Sequence, residues 1–208
     1  MKHYHPQKDD TGQFVGIKCP SQPSSLDAWH HTGQVATVTP GSPMPKSIGQ
    51  IDILSWTEYP SEPAGWERLV KDHEFEEPPF SADGKRPASG AVVIEADGRI
   101  WVVSPSNQFG GYTHTFPKGT LVPKEGLSMR ANAVKEVYEE TGLRIELTGF
   151  LCDASRSMST TRYYLARRLG GNPADMGWES QAVHLVPKAR LADYLTNPYD
   201  IPLLKALL

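Results

Sequence analysis

Three glutamates within one turn of a predicted helix are the residues of this sequence best suited to chemistry. Glu136, Glu139 and Glu140 stand at i, i+3 and i+4, so a helix projects their carboxylates along one strip of its surface. Like charges at this spacing repel, and a bound cation would remove the repulsion. Carboxylate oxygens are the ligands that a hard divalent ion such as Mg²⁺ or Mn²⁺ prefers. The alternative interpretation of the same trio is an acidic helix face exposed to water.

The segments on both sides of the trio favour the metal-binding interpretation. Upstream, residues 116–119 are predicted to end a strand in a turn at Gly119. Downstream, Ser128 is a suitable N-cap for a helix that runs to Thr141, and Gly142 stands where a left-handed C-cap belongs. A glycine turn, a loop and an acidic helix that ends at a glycine together predict a cradle for a cation and a phosphate.

With these residues identified, the segment resembles the Nudix hydrolase family, whose signature reads G-x5-E-x7-R-E-U-x-E-E-x-G-U, where U is aliphatic. Residues 135–143 match each fixed position of the second half except the arginine, which is Lys135 here. Gly119 and Glu125 match the first half, but residues 126–134 are two more than the family has between that glutamate and the arginine. In a second possible alignment Leu127 takes the place of the first glutamate. The resemblance covers roughly residues 89–195.

The resemblance implies metal-dependent hydrolysis of a diphosphate bond, typically in a nucleoside diphosphate-X compound. Carried over by position, Glu136, Glu139 and Glu140 would hold Mg²⁺ or Mn²⁺ together with the carbonyl oxygen of Gly119. Glu136 and Glu139 are then also catalytic candidates, with Glu179 as a further catalytic carboxylate from a later loop. Asp153 is a weaker alternative to Glu179.

A second functional reading is a Nudix-like module that binds a nucleotide or a protein partner with weak or no catalysis. The two additional loop residues and Lys135 in place of arginine support it, because lysine lacks the planar fork that holds a carboxylate bidentately. An RNA-end-processing member of the family is a third reading, disfavoured by the lack of a basic run.

Four residues near the predicted cradle are candidates for contact with a phosphorylated substrate, most simply a nucleotide derivative. Lys118, Arg156 and Arg162 fall at a strand end or in a loop, where a cation can pair with phosphate. Tyr112 could stack on a base. Solvated surface cations and a core aromatic ring are the structural alternatives.

The elements that must position these residues predict an α/β fold, a Nudix-like α/β/α sandwich with a mixed β-sheet and an N-terminal extension. Strands are predicted at 91–94 and 99–103 as a hairpin, then at 112–116, 143–151, 161–168 and 181–186. Residues 153–160 are predicted to be a polar connection. Further helices are predicted near 188–195 and 200–208.

Residues 1–88 are predicted to be a proline-rich, partly ordered N-terminal extension, and residues 89–208 the Nudix-like hydrolase domain. Short strands at 34–39 and 51–56 and a helix at 62–71 are expected within the extension. The sequence leaves open whether the extension packs on a sheet edge, mediates dimerisation or covers the pocket; a homodimer is compatible with all three.

Composition narrows the function classes further. The 208 residues carry 21 Lys and Arg against 24 Asp and Glu, a net charge of −3, which argues against a basic nucleic-acid-binding domain. Two cysteines, Cys19 and Cys152, exclude a disulfide framework and a four-thiolate zinc site. Neither a membrane-length apolar run nor an apolar signal at the start is found, so we expect a cytoplasmic protein without a membrane partner.

Overall fold

The computed structural model describes residues 2–208, which form eleven strands and four α-helices. The strands are β1 (His3–Lys8), β2 (Phe14–Ile17), β3 (Ala36–Val38), β4 (Ser47–Ile48), β5 (Ile51–Asp52), β6 (Arg86–Val93), β7 (Ile100–Pro105), β8 (Lys118–Thr120), β9 (Leu143–Ser155), β10 (Ser159–Gly171) and β11 (Ser180–Val186). The helices are α1 (Pro63–Val70), α2 (Met129–Thr141), α3 (Leu191–Tyr194) and α4 (Ile201–Leu207).

The central sheet is mixed and has the strand order β8-β6-β10-β9. Strand β10 runs parallel to β6 and antiparallel to β9, and β6 runs antiparallel to β8. A second, antiparallel sheet has the order β3-β11-β7. Helix α2 packs across β6, β8 and β9, with α1 against it, and α4 contacts β9. The predicted α/β/α sandwich with a mixed sheet is confirmed.

Helix α2 is defined at both ends by the residues that the sequence indicates. The Ser128 side chain accepts a hydrogen bond of 3.2 Å from the Ala131 N–H, which satisfies one of the free donors of the first turn. Gly142 has a φ of 68°, and its N–H donates to the Tyr138 carbonyl at 2.7 Å. The predicted helix is therefore confirmed, as are α1 and strand β11.

The predicted hairpin of 91–94 with 99–103 is wrong in its pairing. Both strands exist, but β6 and β7 share only a single bridge between Ile94 and Ile100 and then separate into different sheets. The reason is that β6 already has β8 on one edge and β10 on the other, while β7 pairs with β11. The turn between β6 and β7 has a sequence typical of a hairpin, but it connects strands of two different sheets.

Two further strand predictions need correction. Residues 112–116 form only an isolated bridge, Thr115 with Val103, after a loop in which Asn107 and Gln108 have positive φ. The polar stretch at 153–160 is largely strand, because β9 extends to Ser155 and β10 begins at Ser159. Arg162 stands opposite Asp153 across these strands, so charge pairing replaces the apolar alternation by which strands are predicted.

The N-terminal segment is built into the core. Strand β3, within the predicted range 34–39, pairs with β11, and the ring of Trp29 lies 5.9 Å from that of Trp101. The strand predicted at 51–56 is reduced to β5. Of the three roles left open for the extension, packing on a sheet edge is what the structure has, whereas the division at residue 88 stays a prediction. Within residues 2–208, the helices are all too short or too polar to cross a membrane.

Candidate functional site

Helix α2 directs two of its glutamates onto Gly119. The turn predicted at this glycine is wrong, because Gly119 lies inside strand β8 and pairs with Ser89 of β6. Glu136 and Glu140 are only 8% and 7% exposed, whereas Glu139 is exposed. A Cβ added at Gly119 would overlap the Glu136 carboxylate, so only glycine permits this approach. The N–H of Lys118 donates to Glu140 Oε2 at 3.4 Å. Strand β8 at Gly119 and the two carboxylates therefore form one wall of a site, with Glu139 at its rim.

Asn132 fixes the distance between helix α2 and strand β8 at Gly119. Its side-chain amide donates to Ser89 Oγ at 3.0 Å and to the Gly119 carbonyl oxygen at 3.3 Å. Asn132 lies one helical turn before Glu136, and it is buried. Sequence reasoning missed this residue, although a polar side chain at i−4 from Glu136 on the same strip was a usable signal.

Lys135 links the helix to the loop before it. Its Nζ lies 3.2 Å from Glu139 Oε2 and 3.5 Å from Glu125 Oε2. Glu125 thus stands beside α2 in spite of the longer loop, while Leu127 is buried in the core. Of the two alignments left open by the sequence, the geometry favours the one that assigns the first signature glutamate to Glu125.

The site concentrates negative charge, which the nearby cations of Lys135 and Lys118 oppose only in part. Burial, reinforced by the carboxylates of Glu140 and Glu139, raises the pKa of Glu136 well above its ordinary value. Burial also raises the pKa of Glu140 to about 8. Among the described residues, neither Glu136 nor Glu140 forms an ion pair with lysine or arginine. A cation between these groups would stabilise their charged forms.

Glu179 lies on a short segment that is attached to both α2 and the end of β7. The N–H of Gly177 donates to the Glu139 carbonyl at 2.7 Å, and a side chain at position 177 would collide with that carbonyl. From the other side, Ser106 donates through its N–H to the Glu179 carbonyl and through its hydroxyl to the Trp178 carbonyl, both at 2.7 Å. Partial burial and the nearby Asp10 raise the pKa of Glu179. The negative charge of Glu179 contributes in turn to the raised pKa of Glu136 and of Glu140.

The donor set fits a hard divalent ion, although it is not yet gathered around one point. Within residues 2–208, no three Asp, Glu, His or Cys side chains already stand in the arrangement of a metal site. Buried carboxylates without an ion-pair partner are nevertheless the ligand chemistry that Mg²⁺ or Mn²⁺ uses. The strand glycine that they approach leaves no room for a side chain. The side chains of α2 would have to turn further toward one another to hold such an ion.

Of the four residues predicted to contact substrate, three lie together near the site. Lys118 Nζ is 5.9 Å from the centre of the Tyr112 ring, and Arg156 donates to the Tyr112 hydroxyl. Arg156 itself is 4% exposed and is bonded to the Tyr163 hydroxyl and to Asp200, each at 2.8 Å. Lys118 and Tyr112 are therefore accessible candidates, with Arg156 behind the ring.

Arg162 is separated from the other three candidates. Register pairs Arg162 with Ser89 and Ser89 with Gly119, one row away from the row of Tyr163, Gly90 and Lys118. Because neighbouring residues of a strand alternate between faces, Arg162 points to the face opposite Lys118. There it is 3% exposed and bonded to Asp153 and Glu77, so Asp153, the alternative to Glu179, is also occupied in an ion pair.

With this geometry established, comparison with known proteins identifies the family. A sequence model of the NUDIX domain matches residues 84–207, more than half of the chain. The chain belongs to the Nudix family. The match takes in the mixed sheet, helix α2 with its glutamates, and Glu179.

Known Nudix proteins resemble this chain over part of their length. Two curated relatives, both named RNA pyrophosphohydrolase and from two strains of Caulobacter vibrioides, are each 32% identical over 98 residues, which are 46% of this chain and 52% of theirs. The chain therefore spans about half the length of the curated relatives it matches.

Solved structures of Nudix proteins are similar as well. A NUDIX hydrolase from Nitrosomonas europaea has a TM-score of 0.49 at 15% identity, covering 59% of this chain and 87% of that one. An ADP-ribose pyrophosphatase from Streptococcus suis has a TM-score of 0.42 at 23% identity, covering 50% and 75%.

Proposed function

We propose that this Nudix protein hydrolyses a diphosphate bond in a nucleoside diphosphate-X type compound, with Mg²⁺ or Mn²⁺ as its cofactor. The observation that carries the proposal is the burial of Glu136 and Glu140 against Lys118 and Gly119 of β8, with no lysine or arginine of the described residues in an ion pair with either carboxylate. A fold that buries like charges together gains nothing in stability from them. Their use must therefore lie in binding a cation and its anionic substrate.

The residues of the site divide into ion-holding and proton-accepting roles. Glu136, Glu139 and Glu140 would hold the divalent ion, with the carbonyl oxygen of Gly119 as a fourth donor. Such an ion, when bound, neutralises phosphate charge and lowers the pKa of a coordinated water. Glu136, Glu139 or Glu179 would accept the proton of the attacking water as the phosphorus–oxygen bond breaks. Two phosphate monoesters leave, and the proton passes to solvent.

Substrate binding is assigned to the accessible pair near this wall. Lys118 would contact a phosphate oxygen, and the Tyr112 ring, held at its hydroxyl by Arg156, would lie against the base or the leaving group. Arg156 would act behind Tyr112 rather than on phosphate, and Arg162 is left out because it is buried in ion pairs with Asp153 and Glu77.

A turnover assay with matched variants tests the proposal. Purified protein with Mg²⁺ or Mn²⁺ is incubated with a panel of nucleoside diphosphate-X compounds, and released phosphate monoester is measured. We expect turnover in the wild type, none without metal, and about a thousandfold slower turnover in Glu140→Gln. Glu58→Gln is the control, because Glu58 is an exposed glutamate outside the site.

The panel also separates the enzyme from the binding module. Turnover of no compound together with tight, saturable binding of one of them by calorimetry would refute catalysis and favour a Nudix-like module that binds a nucleotide. If no compound is hydrolysed and none binds, the binding of a protein partner is the role that is left for this second reading.

RNA with a 5′ polyphosphate end is a second candidate substrate. The observation that favours it is the 32% identity to relatives named RNA pyrophosphohydrolase, although the aligned region is about half of their length. The net charge of −3 counts against it. Adding a short 5′-triphosphorylated RNA to the panel decides between the two: preferential turnover of the RNA would replace the nucleotide assignment.

A further inference from the structure

The N-terminal hairpin, strands β1 and β2, reaches the segment that carries Glu179. The indole N–H of Trp178 donates to Asp10 Oδ1 at 3.2 Å. Close by, Gln7 Nε2 donates to the Asp175 carbonyl at 3.2 Å, and Gln7 Oε1 would lie 3.7 Å from a side chain at Gly177. The side of the Gly177–Glu179 segment that is not covered by α2 or β7 is therefore bounded by the hairpin.

Asp10 is presented on a turn of fixed shape. Asp9 Oδ1 accepts hydrogen bonds from the N–H groups of Thr11, at 3.0 Å, and Gln13, at 2.8 Å, and the N–H of Asp9 donates to the Gln13 carbonyl at 2.9 Å. Gly12 has the positive φ that closes such a turn. The tip therefore offers Asp10 as a pre-positioned acceptor rather than as a free side chain.

The other strand of the hairpin is anchored to the loop that holds Glu179 from the opposite side. Asn107 Nδ2 donates to the Gly16 carbonyl at 2.8 Å, and the Lys18 N–H donates back to Asn107 Oδ1 at 2.9 Å. Asn107 follows Ser106, whose N–H and hydroxyl bind the Glu179 and Trp178 carbonyls. The hairpin thus ties together the two supports of Glu179.

We infer that Asp10 is a positioning residue for Glu179, acting through its hydrogen bond to the Trp178 indole, so that the N-terminal hairpin is a working part of the hydrolytic site. The inference rests on the proposed function, because it assigns Glu179 a role in turnover. Backbone contacts from α2 and Ser106 fix where the Gly177–Glu179 segment lies. On the outer side, the hydrogen bond from the Trp178 ring to Asp10 restrains the rotation of the segment.

Three substitutions separate a hydrogen-bonding role from a charge effect and from general packing. Asp10→Ala removes the acceptor, Asp10→Asn keeps an oxygen acceptor without charge, and Trp178→Phe keeps an aromatic ring without the donor. Asp52→Ala is the control, because Asp52 is an exposed carboxylate elsewhere in the N-terminal segment. Melting temperatures of all variants are compared with that of the wild type.

We expect Asp10→Ala and Trp178→Phe each to lower kcat about tenfold with little change in KM, as is common when a supporting hydrogen bond is lost. The double variant should be no worse than either single one, because both remove the same bond. Asp10→Asn should restore most of kcat. An unchanged kcat in Asp10→Ala, or an Asp10→Asn variant as impaired as Asp10→Ala, would overturn the inference.

Hydrogen exchange tests the same inference without turnover. The N–H groups of Gly177 and Ser180 donate to the carbonyls of Glu139 and Gly177 at 2.7 Å and 3.1 Å. Both amides should exchange faster in Asp10→Ala and at the wild-type rate in Asp52→Ala; unchanged exchange would contradict positioning. If the wild type hydrolyses nothing but exchange still responds, the proposed function fails while the hairpin's restraint of the segment stands.

Discussion

Glu95 and Glu140 are buried to the same degree, each 7% exposed, yet their surroundings are opposite. Glu95 is bonded to Arg168 through both oxygens, at 2.5 Å and 3.2 Å, and accepts the Trp101 indole N–H at 2.7 Å. Glu140 accepts one backbone N–H at 3.4 Å. A buried carboxylate with a full set of donors is a structural group, whereas one without them needs a cation from outside the chain.

The position of each carboxylate agrees with this difference. Arg168 also donates to the Ile48 carbonyl at 3.0 Å, so the Glu95 pair joins the central sheet to the N-terminal segment. Glu140 instead lies one helical turn from Glu136, on the side of α2 that faces β8. A buried carboxylate that is paired with an arginine therefore connects parts of the fold. For a buried carboxylate without an ion-pair partner, we expect a bound ligand.

The largest expected effect is on catalysis at the unbalanced cluster. Glu136→Gln and Glu140→Gln should each lower the hydrolysis rate about a thousandfold, within the range that loss of a catalytic carboxylate produces. Melting temperature should stay equal or rise, because the substitution removes like-charge repulsion. Steady-state kinetics and thermal melts check both; a collapsed fold would show that these glutamates are structural after all.

At the balanced pair, the expected effect falls on stability. Arg168→Ala leaves Glu95 buried without its partner and should cost about 3 kcal/mol of unfolding free energy. Replacing both partners by apolar residues, Glu95→Leu with Arg168→Met, should recover most of that loss. Urea denaturation measures the two differences, and a double variant as unstable as Arg168→Ala would contradict the comparison.

A smaller effect on the hydrolysis rate is expected at Gly119, the strand glycine opposite Glu136. Gly119→Ala places a methyl group where the Glu136 carboxylate lies, so the carboxylate must move by more than an ångström. A displacement of that size lowers rates about a hundredfold. Gly149→Ala is the matched control, because Gly149 is a strand glycine with open space beside it. Equal kinetics in the two variants would argue against Glu136 at the reaction centre.

The smallest effect is a pH dependence of stability. The pKa of Glu140 is raised by burial from 4.5 to about 8, so the folded state disfavours its ionised form. With a chelator present, the unfolding free energy should therefore fall as pH rises from 4.5 through 8, by at most about 1.4 kcal/mol per pH unit for this one group. The effect is the smallest of the four when it is taken over a single pH unit. Glu140→Gln should make this slope smaller, and urea denaturation of both proteins across that pH range measures it. A slope as steep in the variant as in the wild type would contradict the prediction.

Local signals in the sequence were sufficient for helix α2 and its acidic strip. Ser128 and Gly142 define its ends by short-range hydrogen bonds, and the spacing of Glu136 and Glu140 alone puts them on one face. The Nudix family follows from the same segment, whereas the mixed sandwich was predicted from the order of the strands and helices, each with local signals of its own. These features depend on contacts within a few residues, which a single sequence displays.

Partners that are distant in the chain were beyond the same reasoning. The turn after β6 has hairpin chemistry, but β6 is already flanked by β8 and β10, which come later in the chain. Arg156 and Arg162 stand where phosphate partners could be, yet Asp200 and Asp153 reach them first. Asp10 lies far from Trp178 in sequence, and no periodicity connects them.

The pairing of β3 with β11 has a practical consequence. Val38, Thr37 and Ala36 cover the backbone of 183–185, which would otherwise be the open edge of the second sheet. A polypeptide trimmed to the 84–207 match would expose that edge, a ready template for another chain to add a strand. Shortened versions made for crystallisation or screening should therefore begin well before residue 36, or they will tend to aggregate.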